Sequence, residues 1–149
     1  MSGFFYVQKV TSNTKIMFKK RFKVLVACEE SQAITKEFRN MGHDAYSCDL
    51  LPCSGGHPEW HYQEDVFEVI KKQEWDIMIA HPPCTYLAVS GARWMYNKDG
   101  SVNEERLKNQ HDALDFVKRL MDAPIKSIAI ENPISVISSQ IRKPDQIVH

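Results

Sequence analysis

Two groups in this sequence are suited to covalent chemistry: a cysteine delivered by a rigid turn, and a carboxylate at the end of another strand-like run. Cys84 follows Pro82-Pro83, directly after the apolar stretch Asp76-Ile77-Met78-Ile79-Ala80 and His81. Glu131 stands in Ile128-Ala129-Ile130-Glu131-Asn132-Pro133, a second run of the same design. A thiolate is a strong nucleophile and a neighbouring carboxyl group can give or take a proton, so the pair suits covalent catalysis. A free cysteine can also serve as a small buried hydrophobe. Its place behind two prolines at a strand end argues for exposure instead.

The other three cysteines, Cys28, Cys48 and Cys53, form no C-x-x-C pair with Cys84 or with each other, and no secretory signal precedes them. Reduced thiols and a cytoplasmic setting follow. Cys53, His57 and His61 recur at intervals of four, with Cys48 nearby, a spacing that on paper could hold zinc. Gly55, Gly56 and Pro58 forbid the regular helix that would stack those side chains on one face, so the expectation is a polar loop and no metal.

The elements that must position Cys84 and Glu131 follow from periodicity. Phe22 to Ala27 is a short apolar, β-branched run, and Ser31 to Met41 has helical spacing through Ile34, Phe38 and Met41, closed by Gly42. Ala45 to Asp49 is a second strand, which makes a parallel strand-helix-strand unit with a right-handed crossover. After a turn-rich loop, Leu51 to Glu59, come a short strand at Trp60 to Gln63, a helix from Val66 to about Lys72, and the clearest strand, Trp75 to Ala80. Residues 85–103 have weak periodicity and read as a long loop with one helical turn. Glu104 to Met121 carries an apolar stripe through Leu107, Leu114, Val117, Leu120 and Met121, as a packing helix should, and Ser127 to Glu131 is the last strand.

Alternating strands and helices predict an open α/β sheet, mostly parallel, which binds ligands outside the carboxyl ends of its strands. The polar residues expected at that rim are Cys28, Glu29 and Glu30, then Asp49, Asp65, His81 to Thr85, and Glu131-Asn132. Asp49 ends the second strand, where a carboxylate either accepts hydrogen bonds from ribose hydroxyls, as in nucleotide-binding sheets, or caps a helix or loop.

With Pro82-Pro83-Cys84, Glu131-Asn132-Pro133 and an acid ending the second strand, the chain resembles the cytosine carbon-5 DNA methyltransferases, above all the compact ones of bacteriophages. Ala27-Cys28-Glu29-Glu30-Ser31-Gln32 and the run from Cys84 to Trp94 carry the likeness further, and it extends over roughly residues 22–147. The resemblance implies a Rossmann-like class I sheet, S-adenosylmethionine as cofactor and DNA as substrate. It assigns Cys84 to attack on carbon 6 of cytosine and Glu131 to hydrogen bonding at ring nitrogen 3 and the exocyclic amine. A target base inside a duplex would have to flip out.

By the same likeness Cys28, Glu29, Ser31, Asp49, Leu50, Asp65, Val66 and His81 would surround the cofactor. Glu29 would face its amino group, and main chain near Ser31 its carboxylate. Pro83, Thr85, Arg93 and Asn132 would meet the substrate. Two departures stand out: the turn Ala27-Cys28-Glu29-Glu30-Ser31 contains no glycine, and the sequence leaves no room for the family's usual target-recognition region. DNA recognition would then need a homo-oligomer or a separate segment. Two other readings are a non-catalytic nucleic-acid or nucleotide-binding module on the same sheet, and methylation of an exocyclic base nitrogen, whose enzymes carry an aromatic residue where this chain has Cys84.

The 149 residues, 43% hydrophobic and 26% charged, suit one compact catalytic domain at 22–149 behind a basic extension at 1–21. Six of the nineteen basic residues fall within residues 1–23, which hold no acid; the other thirteen face nineteen acids, so residues 24–149 carry a net charge of minus six. Such a cluster before a strand is more often a solvated flank, the other reading being contact with nucleic-acid phosphate. No apolar run approaches the roughly 20 residues that span a bilayer, and no membrane partner is expected.

Overall fold

The structure is a computed structural model and describes residues 3–8 and 20–148. Lys9, Lys15 and Lys19 of the basic extension lie outside the described residues. The elements run β1 (Gly3–Gln8), β2 (Lys23–Ala27), α1 (Ala33–Asn40), β3 (Asp44–Asp49), β4 (His61–Gln63), α2 (Val66–Lys72), β5 (Ile77–Ala80), α3 (Glu104–Met121), β6 (Ser127–Pro133), α4 (Ile137–Gln140) and β7 (Gln146–Val148). A mixed seven-stranded sheet has the order β4-β3-β2-β5-β6-β1-β7. The α/β class is therefore as expected from the sequence. No helix among the described residues is long and apolar enough to cross a membrane.

The chain divides into two compact units. Among the described residues, one comprises 7–8, 20–81 and 123–129; the other comprises 3–6, 82–122 and 130–148.

In the first unit β2 pairs in parallel with both β3 and β5, and β4 extends the parallel ladder beyond β3. Val24, Leu25, Val26 and Ala27 are all fully buried, which explains why β2 reads as unbroken apolar sequence: a central parallel strand is covered on both faces. Ile34 and Phe38 of α1 pack on Val24, Val26 and Ala45 beside Phe22 and Ile77. The end of α1 is a Schellman motif: Gly42, at φ +91°, donates to the Arg39 carbonyl, and His43 donates to that of Phe38. Asp65 caps α2 by accepting from the Phe67 amide at 2.7 Å, and Trp75, 5% exposed, donates its indole N–H to the Val69 carbonyl.

In the second unit, β1 and β7 form an antiparallel pair, with Gly3 opposite Val148. Asn103 caps α3 by accepting from the Arg106 amide at 3.0 Å; Glu104 and Glu105 in the first turn and Lys118 and Arg119 in the last complement its dipole. Val117, Leu120 and Met121 bury the apolar stripe. The one helical turn anticipated within 85–103 is a 3-10 helix over Val89–Met95.

Candidate functional site

Chain order reverses direction at β2, with β3 and β4 on one side and β5 on the other, and in open α/β sheets ligands bind outside the carboxyl ends of the strands at such a reversal. Cys28 follows β2, Asp49 ends β3 and His81 follows β5. Their strands are in register there: Ala27 lies opposite both Cys48 and Ala80, the His81 amide donates to the Ala27 carbonyl, and the Glu29 amide donates to that of Cys48.

The turn that follows β2 has no glycine, yet its backbone adopts the left-handed conformation that glycine favours. Cys28 has φ +60° and Gln32 φ +58°. Each such residue stores about 1–2 kcal/mol of steric strain. Gln32, fully buried, compensates: its amide nitrogen donates to the Ser47 hydroxyl and the His57 carbonyl, while its amide oxygen accepts from the His57 N–H at 3.0 Å. Gly55 completes the contact, because a Cβ there would collide with the Ser31 carbonyl and the Gln32 side chain.

Glu29 is 6% exposed, and both its carboxylate oxygens serve the first turn of α1. One accepts from the Ile34 amide at 2.6 Å; the other accepts from the Thr35 amide at 3.2 Å and the Thr35 hydroxyl at 2.7 Å. Ser31 is exposed and accepts a long bond from the Ala33 amide. Asp49 forms an Asx turn with the Leu51 amide at 2.9 Å, and Leu50 beside it is 73% exposed. Asp65 is engaged as the α2 cap, and Val66 is buried beneath it.

Burial, reinforced by the nearby Asp49 carboxylate, pushes the thiols of Cys28 and Cys48 from 9.0 up to about 12. At pH 8 the thiolate fraction of either is then on the order of 10⁻⁴. Iodoacetamide should therefore label exposed Cys84 first and reach Cys28 and Cys48 only on unfolding; modification of either at the Cys84 rate, read by peptide mass spectrometry, would refute this. The unfolded chain releases these protons from about pH 9 whereas the fold retains them, so their contribution is fully present below pH 9. It is lost as pH climbs from 9 towards 12.

His57 stacks on Trp60 at 3.7 Å and pairs with Glu59, while the ring nitrogens of His61 meet the Ser47 hydroxyl and the Leu51 carbonyl. Cys48 donates to the Glu64 carbonyl. Among the described residues no group of three or more His, Cys, Asp or Glu side chains is arranged to hold a metal.

The second unit carries Cys84 and Glu131. Cys84 is exposed, and its carbonyl accepts from the amides of Leu87 and Ala88, closing a tight turn. Pro82 is buried, while Pro83 and Thr85 are exposed. Asn132, 1% exposed, donates its amide to the Pro82 carbonyl at 3.1 Å, which ties the strand bearing Glu131 to the turn bearing Cys84. The two chain segments continue side by side: Ala88 bridges Ser135, the Val89 amide donates to the Ile134 carbonyl, and the Val136 amide donates to the Leu87 carbonyl. From α3, Arg106 donates to the Thr85 carbonyl and Gln110 to that of Tyr86. Arg93 is exposed and its guanidinium lies over the Trp94 ring at 4.7 Å.

Glu131 is half-buried, and a Cβ on Gly3 would stand 2.7 Å from its Oε1. Gln32, Arg106 and Gln110 hold these turns by side-chain hydrogen bonds and Gly3 leaves room for the Glu131 carboxylate; spacing singles out none of the four. Only the aromatic and β-branched run Phe4-Phe5-Tyr6-Val7 hints that the N-terminal segment is a strand. Comparison with protein-family models, curated proteins and solved structures finds no match for this chain.

Proposed function

We propose that the chain is an S-adenosylmethionine-dependent methyltransferase acting at carbon 5 of cytosine in DNA through a covalent Cys84 adduct. The observation that carries this reading is the Asn132 to Pro82 hydrogen bond, which ties an exposed thiol on a proline-stiffened turn to the strand holding a carboxylate. Counted from β2, the strands β4-β3-β2-β5-β6 follow the order 3-2-1-4-5 usual in nucleotide-binding doubly wound sheets, which supports the Rossmann-like assignment.

The first unit suits the cofactor in part. The Asp49 carboxylate can receive ribose hydroxyls, exposed Leu50 can cover an adenine face, and the left-handed turn at Cys28 brings main chain to the rim without glycine. Glu29 is committed to α1, so the cofactor's amino group must find another acceptor. S-adenosylmethionine, when bound, supplies an electrophilic methyl group. On the protein side, the Cys84 thiolate forms a bond to carbon 6. The π electrons of the 5,6 bond then shift into the ring, and Glu131 gives a proton to ring nitrogen 3, leaving carbon 5 nucleophilic. Once carbon 5 is alkylated, ring nitrogen 3 returns its proton to Glu131, a solvent water or hydroxide takes the carbon 5 proton, and the C–H electron pair forms the 5,6 double bond as the carbon–sulfur bond breaks, restoring both the aromatic ring and the thiolate.

Calorimetric titration with S-adenosylmethionine tests the cofactor assignment. Saturable one-to-one binding, weakened by Asp49→Ala, supports it; no heat of binding with folded protein favours the non-catalytic module, the reading to which the commitment of Glu29 lends weight. Gly3→Ala probes Glu131. The closest atom the intruding methyl would meet is Glu131 Oε1, at the far end of a flexible side chain, so stability should change by less than about 1 kcal/mol while the carboxylate is displaced. Methyl transfer should fall by roughly tenfold to a hundredfold. Unchanged transfer, measured with labelled cofactor, would remove Glu131 from the reaction.

A further inference from the structure

The loop after Cys84 exposes more aromatic surface than its fold requires. Trp94 is 56% exposed and Tyr96 63%, and with Tyr86 they line a cleft of about 520 Å³ that also takes in Lys98, Glu105 and Arg106. The cleft is held firmly. Tyr96 bridges Val102, Asn97 and Ser101 are joined through main chain and side chain, Gly100 turns at φ +85°, and the Asn103 amide donates to the Met95 carbonyl. Guanidinium groups cover two of the rings, Arg93 over Trp94 at 4.7 Å and Arg106 over Tyr86 at 5.3 Å.

Aromatic faces interleaved with cations form a stacking platform for unpaired bases, because every base has a π face and a nearby phosphate. We propose that this cleft binds two or more unpaired DNA bases, stacked on Trp94 and Tyr96, with Lys98 and Arg93 meeting the intervening phosphates. The choice of polymer rests on the DNA-substrate reading above. Glu105 offsets part of the positive charge, so affinity comes from stacking more than from ion pairing. The salt dependence is correspondingly shallow, equivalent to about one or two phosphate contacts.

Fluorescence anisotropy of a labelled twelve-residue single-stranded oligonucleotide against the full chain, without cofactor, tests this. Trp94→Ala and Tyr96→Ala should each weaken binding by roughly tenfold, Trp94→Phe should restore most of the loss, and the same sequence as a duplex should bind more weakly. Circular dichroism and its thermal transition report whether each variant is folded. The proposal is overturned if wild-type protein does not bind the single strand, or if both alanine variants bind it as wild type does. It is equally overturned if sedimentation shows that the two substitutions abolish self-association without altering DNA affinity, since a second copy would then be the occupant. Stacking-dependent binding with no adduct on 5-fluorocytosine DNA would sink the methyltransferase reading and leave the cleft standing. Adduct formation at the wild-type rate in both variants, at DNA below saturation, would do the reverse.

Discussion

Cys84→Ser should abolish covalent capture of 5-fluorocytosine DNA and lower methyl transfer by a factor of roughly 10⁴ or more, the scale on which nucleophile removal acts in enzymes using covalent intermediates. The fold should survive. Cys84 is exposed, and what stabilises its turn is main chain: its carbonyl receives two amides, the Pro82 carbonyl receives Asn132 and the Thr85 carbonyl receives Arg106. Serine keeps all of these bonds and replaces the sulfur nucleophile with a far weaker oxygen one. S-adenosylmethionine affinity should therefore be unchanged. Retained transfer in Cys84→Ser would show that the nucleophile lies elsewhere.

Glu29→Ala should destabilise the protein by roughly 3–5 kcal/mol, the cost of stranding buried donors that lose a charged acceptor. Three bonds disappear together, from the Ile34 amide, the Thr35 amide and the Thr35 hydroxyl, all at the start of α1. For a chain of 149 residues this corresponds to a fall in melting temperature of about 10 °C. The result separates two roles for the same side chain. Were Glu29 a cofactor ligand, alanine would weaken S-adenosylmethionine binding with little thermal effect; as the cap of α1 it should cost stability even without cofactor.

Much of the fold is legible in the sequence because its signals are local. The Asp65 cap before Val66 marks α2, the Gly42 stop marks the end of α1, and the apolar stripe of Glu104–Met121 marks α3. The strands β1 and β7 are harder to read, since β7 has three residues and its partner lies at the opposite end of the sequence. The strand-end polar residues can be anticipated once the sheet is known to be parallel. What joins them cannot. Asn132 reaches Pro82 across 50 positions, and Arg106 reaches Thr85 across 21. The turn after β2 is instructive in another way: the absence of glycine suggests a different backbone, yet Cys28 and Gln32 take the left-handed conformation, stabilised by the buried Gln32 amide rather than by local preference.

Attack of Cys84 on carbon 6 of cytosine would leave a covalent adduct. Intact-protein mass spectrometry after incubation with S-adenosylmethionine and a 5-fluorocytosine oligonucleotide measures it directly, because fluorine at carbon 5 blocks the release step and holds the adduct. One protein-DNA species is expected at the summed mass, mapped by digestion to the peptide containing Cys84 and missing in Cys84→Ser. Wild-type protein that binds the oligonucleotide and the cofactor yet forms no adduct, or an adduct mapping to Cys28, Cys48 or Cys53, would contradict it.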